Sequence, residues 1–149
     1  DLWDQAMPEA KRIIFRMLEC DKPIIARVNG HAVGAVIWPQ LVGFARAKEY
    51  LMTGDLMTAT EAERIGLINH VVPLDELDDK VYSLARRLAA GASKSIRWTK
   101  QVTNIPLRQL AHSMMDLSIS VETQSNLTAD HQEAVSAFTN KRKPDFSGG

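Results

Sequence analysis

Two short runs of β-branched residues constrain the fold of this chain more than any other feature. They are residues 24–28 (IIARV), bounded by Pro23 and Asn29, and residues 67–73 (LINHVVP). Both runs are predicted to be short buried strands. Roughly 40 residues separate them, and a stable sheet needs about three strands or a covering layer. The two runs alone therefore cannot form an independently stable sheet, and part of the sheet is expected to be missing.

Most of the remaining chain is predicted to be helical, because apolar residues recur at helical spacing. Helix ends are predicted from proline, capping threonines and glycine. One short helix is predicted to begin at two overlapping capping boxes, Thr58 with Glu61 and Thr60 with Glu63, and to end at Gly66. The other predicted helices cover Pro8 to residue 20, 41–52, 77–90, 93–104, Pro106 to Val121, and Thr128 through Phe138. The stripe of Leu107, Leu110, Met114, Leu117 and Val121 is predicted to be core or oligomer interface.

The composition excludes several classes of partner. Eighteen basic residues balance eighteen acidic ones, so no electrostatic field favours nucleic acid or an anionic membrane. Cys20 is the single cysteine, and no cysteine and histidine cluster has the spacing of a metal site, which favours a reducing compartment. No apolar run reaches the ~18 residues of a membrane helix. We therefore expect a cytoplasmic protein with no metal.

A glycine-rich stretch, residues 29–39 (NGHAVGAVIWP), follows the first predicted strand. A strand that leads into a glycine-rich helix start is a typical binding place for an anion or oxyanion. Here, however, Trp38 and Pro39 follow Gly34 within five residues, which leaves no room for that helix. The alternative is that Gly30 and Gly34 only permit positive φ angles where a strand ends.

Residues 51–73 (LMTGDLMTATEAERIGLINHVVP) resemble the crotonase superfamily, the enoyl-CoA hydratase/isomerase group. In that family a helix ending in L-x-T-G precedes an S/T-A-x-E-A helix and then G-L-V/I-N-x-V-V-P. Residues 22–34, 93–100 and 133–146 agree as well, in family order. The resemblance implies an α/β fold with a spiral core of ββα units, represented here only in part by residues 1–73. Residues 74–149 would form a C-terminal α-helical oligomerisation region.

The resemblance also implies that two distant family segments are joined near residues 34–36. In crotonases the glycine-rich motif continues into its helix, further strands and a second loop. Gly34 matches the first segment, residues 36–38 match the second, and Ala35 matches either. The N-terminal family portion, which supplies most of the sheet and another oxyanion donor, is expected to be missing as well.

The chemistry that the resemblance implies is acyl-CoA processing, most simply the hydration of a 2-enoyl-CoA. The family stabilises an enolate-like oxyanion with backbone N–H groups, one of which matches Gly34 and Ala35. Neither family glutamate can be carried over, and Trp38 stands at the position of one of them. The CoA thioester is the substrate, and no cofactor is expected. Phe138 and Lys141 match positions that approach the CoA adenine and phosphates.

Several alternatives stay open at this point. The reaction could be another crotonase type, such as isomerisation, decarboxylation or hydrolysis, or the chain could be an inactive assembly or regulatory subunit. The family also implies a homo-oligomer, a trimer or hexamer. Glu61 and Glu63 are explained better by capping than as a carboxylate pair. Residues 141–143 (KRK) are most simply a solvated charged end, and residues 147–149 are expected to be frayed.

Overall fold

The computed structural model describes residues 2–29 and 37–149, and this part of the chain is mainly helical. Its eight α-helices are α1 (Leu2–Glu19), α2 (Trp38–Val42), α3 (Phe44–Thr53), α4 (Ala59–Arg64), α5 (Leu77–Ala89), α6 (Ser93–Thr103), α7 (Ile105–Ser125) and α8 (Ala129–Thr139). A 3₁₀ turn, Leu74–Glu76, precedes α5. None of the described helices is long and apolar enough to cross a membrane.

The chain forms two compact units. The first consists of the residues up to Arg16 together with Ala111–Gly149, and the second is Met17–Leu110. Helices α1 and α7 therefore contribute residues to both units. The division that the resemblance implies, between residues 73 and 74, stays a prediction.

Three helix ends, at Thr58, Thr128 and Gly54, occur where the local sequence predicts them. The Thr58 hydroxyl accepts a hydrogen bond from the Glu61 N–H at 3.2 Å and caps α4, and Thr128 caps α8 in the same way. Gly54, with φ of 73°, ends α3 in the left-handed conformation. Gly66 follows α4 with φ of 85°, which glycine adopts without a steric cost. Only one hydrogen bond of the Thr58 capping box is formed, from the Glu61 N–H to the Thr58 hydroxyl. The Glu61 carboxylate contacts Arg64 and not the start of the helix.

Replacement of Thr58 by alanine is expected to lower the free energy of unfolding by about 1 kcal/mol, because the cap of α4 is lost. Thr60 lies inside α4, so replacing it by alanine removes a residue of poor helix propensity and is expected to be neutral or slightly stabilising. Urea denaturation of both variants measures the difference. Equal effects of the two substitutions would contradict the assignment of Thr58 as the cap.

The two predicted strands are wrong for the described residues. Residues 23–29 have no regular secondary structure, and Ile24 and Val28 are 52% and 48% exposed. Residues 67–73 are turns and irregular chain, tied to α4 by hydrogen bonds from the Leu67 N–H to the Ala62 carbonyl and from the Val71 N–H to the Glu63 carboxylate. The physical reason is that a strand needs a partner ladder, which the described part of the chain does not supply to either run.

Two predicted helices have different bounds in the structure. Helix α1 begins at Leu2, so Pro8 lies inside it and not in its first turn, where its missing N–H removes one helical hydrogen bond. The predicted helix over residues 41–52 is divided at Gly43, whose φ of 82° and ψ of 154° separate α2 from α3. Glycine permits this break because it has no Cβ.

A small apolar cluster in the second unit forms where α2 and α3 meet the chain that follows α4. Val42, Ala47 and Ile65 are buried at its centre. The partly buried side chains around them are Trp38, Tyr50, Leu51, Met57 and Leu67. Because only three side chains are buried in this cluster, each contributes a large share of its packing energy.

The buried face of α7 in the first unit differs from the predicted stripe. Ala111 and Met115 are 1% and 3% exposed, whereas Leu117 and Val121 are 69% and 51% exposed. In α8 the buried residue is Ala137 rather than Val135 or Phe138. The small side chains of Ala111 and Ala137 permit close approach of neighbouring backbone, and Met115 is the larger side chain that α7 buries one turn beyond Ala111.

The C-terminal end of α1, which belongs to the second unit, is held by side chains of α6 and of Asn104, the residue that follows α6. Lys100 Nζ donates to the carbonyls of Met17 at 3.2 Å and Lys22 at 2.8 Å. Asn104, which is buried, donates from Nδ2 to the Leu18 carbonyl at 3.0 Å. Arg97 forms an ion pair with Asp21. Lys100 and Asn104 therefore satisfy the Met17 and Leu18 carbonyls, which lie in the last turn of α1 and have no partner inside the helix.

Candidate functional site

Phe138 and Lys141 lie next to each other at the C-terminal end of α8. Phe138 is 88% exposed and Lys141 is also exposed. The Lys141 N–H donates to the Phe138 carbonyl at 3.2 Å, so one turn of chain joins the two residues. An aromatic ring and a cation therefore face solvent within a single short segment.

The backbone at Lys141 turns sharply after the helix. Lys141 has a φ of 52°, in the left-handed region that glycine usually occupies after a helix. The next N–H, of Arg142, donates to the Ala137 carbonyl at 3.0 Å. A side chain in this region costs roughly 1–2 kcal/mol. Other contacts must therefore hold the turn.

Glu133 supplies those contacts from inside α8. Its carboxylate accepts two hydrogen bonds from the Arg142 guanidinium, one of them from Nη2 to Oε2 at 2.7 Å. It also accepts the Asp145 N–H at 2.8 Å, and Arg142 donates a further hydrogen bond to the Ser136 hydroxyl at 3.2 Å. We call Glu133, Arg142 and Asp145 the tail clamp. Arg142 is exposed, as a solvated charged end would be, and its guanidinium is in addition paired with Glu133.

The charge state of the tail clamp follows from these contacts. The Arg142 guanidinium, and then the Asp145 N–H, lower the pKa of Glu133 to about 2. Hydrogen bonding to Glu133 raises the pKa of Arg142. At neutral pH Glu133 is therefore a carboxylate and Arg142 a guanidinium cation, which are the charged forms that make the ion pair. The clamp is charged and closed under ordinary conditions.

The last residues of the chain lie at the opposite end of α8. The Asp130 carboxylate accepts the N–H groups of Ser147 at 2.8 Å and Gly148 at 3.0 Å, and the Asp130 N–H donates to the Gly149 carbonyl at 3.2 Å. The expectation that residues 147–149 are frayed is therefore wrong. The segment from Arg142 to Gly149 returns along α8 between the two carboxylates of Glu133 and Asp130.

The other predicted site residues do not join this place. Gly34 and Ala35, the predicted oxyanion pair, lie outside the described residues. Trp38 begins α2 and packs against the apolar cluster. Glu61 contacts Arg64, which lowers the pKa of Glu61, and Glu63 accepts the Val71 N–H. The two glutamates therefore have separate structural partners and do not form a carboxylate pair. Neither carboxylate completes a capping box, and the predicted box of Thr60 with Glu63 is wrong because Thr60 lies inside α4.

A cavity of about 250 Å³ lies in the second unit beside α6. It is lined by Asp21, Lys94, Arg97, Trp98 and Gln101. The Arg97 and Asp21 side chains in it are paired with each other. In residues 2–29 and 37–149 we find no group of three or more histidine, cysteine or acidic side chains that could hold a metal ion.

Sequence reasoning missed Glu133 and Asp130, which organise the C-terminal segment. Arg142 is nine residues beyond Glu133, and Ser147 is 17 residues beyond Asp130. Neither separation corresponds to a helical or strand period, so no local pattern marks the pairs. The available signal was the basic trio at residues 141–143, because the preceding helix contains Glu133 and no lysine or arginine that could pair with it.

Comparison with known proteins gives one consistent result. The family model described as enoyl-CoA hydratase/isomerase matches residues 32–149. The crotonyl-CoA hydratase of Syntrophomonas wolfei is 29% identical over 169 residues, covering 89% of this chain and 65% of that protein. The 1,2-epoxyphenylacetyl-CoA isomerase of Escherichia coli is 29% identical over 171 residues, covering 91% of this chain and 65% of that protein.

A solved structure extends this likeness to the fold. An enoyl-CoA hydratase/isomerase of Cupriavidus metallidurans superposes with a TM-score of 0.63 at 25% identity. The superposition covers 99% of this chain and 69% of the solved one. The helical arrangement described above is therefore similar to part of a crotonase-type fold.

The matched relatives are longer than this chain. It spans 61% to 65% of the length of the first curated relatives. The alignment with the Syntrophomonas wolfei hydratase extends over 169 residues, which exceeds the 149 residues of the chain. That relative therefore contributes residues with no counterpart here, which supports the expected loss of an internal segment. Its location near residues 34–36 stays a prediction.

Proposed function

This chain belongs to the enoyl-CoA hydratase/isomerase family, and from that membership we propose that it processes acyl-CoA thioesters by hydration of a 2-enoyl-CoA. The main support for this proposal is the family match over residues 32–149, a range that includes both Phe138 and Lys141. The crotonyl-CoA hydratase among the relatives supports hydration in particular. The thioester is the substrate, and we propose that no cofactor takes part.

The exposed pair of Phe138 and Lys141 supports binding of the nucleotide end of CoA. An exposed aromatic ring offers a stacking surface to adenine, and an exposed ammonium group can form charge-assisted hydrogen bonds with phosphate. We further propose that backbone N–H groups at Gly34 and Ala35 stabilise the enolate-like oxyanion of the thioester. Hydration then adds a water oxygen to the β-carbon and a proton to the α-carbon.

The complete architecture is part of the same proposal. We propose that residues 1–73 are a partial crotonase-like core within an α/β architecture, and that a trimer or hexamer is built through residues 74–149. The exposed apolar side chains Leu117 and Val121 of α7 are compatible with such an assembly. Cytoplasmic localisation is proposed from the single Cys20.

Two observations favour alternative functions. The Escherichia coli relative is an isomerase, which favours isomerisation as the alternative reaction on the same oxyanion site. Trp38 occupies the position expected for a catalytic glutamate and is packed in the apolar cluster. This second observation favours an inactive assembly or regulatory subunit, because general acid and base catalysis needs a titratable group.

The test combines an activity assay with a binding assay on the purified chain. Hydration of crotonyl-CoA is followed through loss of the ultraviolet absorbance of its conjugated thioester, and a 3-enoyl-CoA tests isomerisation. Butyryl-CoA, which cannot be hydrated, tests binding by calorimetry. Hydration of crotonyl-CoA is the expected result. Binding without turnover would support the inactive subunit instead, and failure to bind butyryl-CoA would overturn acyl-CoA processing altogether.

A further inference from the structure

Lys141 has an unusual backbone for its residue type. Among the described residues it is the one non-glycine residue with a positive φ. Such a conformation persists only where the surrounding contacts hold it, and it is concentrated at functional sites.

The tail clamp acts on the residue that follows Lys141. Arg142 is held through its backbone N–H by Ala137 and through its guanidinium by Glu133 and Ser136. Asp145 is held by the same Glu133 carboxylate. The chain after Lys141 is therefore fixed at two points, which leaves the turn at Lys141 little freedom to relax.

The side chains of Lys141 and Phe138 are not fixed by contacts of their own. Both face solvent, and neither makes an ion pair with another residue in the part of the chain that the structure describes. Phe138 is held in place by its helical backbone. The location of the Lys141 ammonium group, in contrast, depends on the turn and therefore on the clamp.

We propose that the Glu133–Arg142 ion pair is a positioning device, which holds Lys141 beside Phe138 so that the ammonium group meets the phosphates of a CoA thioester. The proposal rests on the proposed function. It assigns Glu133 and Arg142 an effect on substrate affinity through Lys141, without contact between either residue and the reacting atoms.

A double-mutant cycle on butyryl-CoA binding tests whether Glu133 acts through Lys141. The variants are Glu133→Gln, Lys141→Ala and the two combined, with Glu122→Gln as the matched control on the exposed surface of α7. Calorimetry gives the Kd of each variant, and circular dichroism checks that each one is folded. Glu133→Gln keeps the shape of the side chain and removes the charge that holds Arg142.

The expected result is a Kd about tenfold weaker for Lys141→Ala and about threefold weaker for Glu133→Gln, as loss and misplacement of one charge-assisted contact predict. In the Lys141→Ala background, Glu133→Gln should have no further effect, and Glu122→Gln should bind like the unmodified chain. Additive effects of the two substitutions, or none from either, would overturn the positioning role. Failure of the unmodified chain to bind would instead overturn the proposed function itself.

Discussion

Replacement of Ile65 by alanine is expected to destabilise the second unit by about 2–4 kcal/mol. Ile65 is 7% exposed and lies in the apolar cluster with Val42 and Ala47. The substitution removes three carbon atoms from the largest of the three buried side chains. The protein loses the favourable free energy of transferring those atoms out of water. It also loses the van der Waals contacts that the atoms made with their neighbours, because a cavity remains in their place.

Two further variants calibrate this result. Ile65→Val removes one methyl group and is expected to cost about 0.5–1.5 kcal/mol. Leu56→Ala, at a position that is 82% exposed in the same unit, should stay within about 0.5 kcal/mol of the unmodified chain. Urea denaturation followed by tryptophan fluorescence measures all three, since Trp38 packs on the cluster. Equal costs at Ile65 and Leu56 would mean that the cluster is not a core.

Helix ends could be predicted from the sequence because their causes are local. The Thr58 hydroxyl reaches an N–H three residues away, and Gly54 ends α3 through its own left-handed φ. Both signals lie within a few residues of the end that they mark. The same is true of Thr128 at the start of α8.

Strands could not be predicted in the same way, because a strand depends on a distant partner. Residues 24–28 have the composition of a buried strand, yet Ile24 and Val28 remain about half exposed in the structure. That composition describes the place that such a segment takes in a complete sheet. The prediction was wrong for this chain because side-chain composition does not reveal whether the partner strands are there.

The candidate site shows the same division between local and distant causes. The resemblance singled out Phe138 and Lys141, and the turn that follows α8 joins them through the hydrogen bond from the Lys141 N–H to the Phe138 carbonyl. The clamp that holds the turn was not predicted, because Glu133 and Arg142 meet only after the chain reverses beyond α8. Prediction of that contact requires the path of the chain after the helix.

Asn104 provides the second large effect, because it is buried and its contact is distant in sequence. Its Nδ2 donates to the Leu18 carbonyl at 3.0 Å, across 86 residues, while its own N–H and carbonyl connect α6 to α7. Asn104→Ala leaves the Leu18 carbonyl without this donor, at an expected cost of about 1–3 kcal/mol. Sequence reasoning placed Asn104 at a helix end and missed this bond.

The order of three substitutions separates the hydrogen bond from mere loss of volume. Asn104→Asp preserves the shape but replaces the donor with a carboxylate facing the Leu18 carbonyl, so it should cost more than Asn104→Ala. Asn69→Ala, at an exposed position of the same unit, should change the unfolding free energy by less than about 0.5 kcal/mol. Hydrogen exchange at the C-terminal turn of α1 should increase in both Asn104 variants. If Asp and Ala were tolerated equally at position 104, the end of α1 would have to be held by Lys100 alone, through its bonds to Met17 and Lys22.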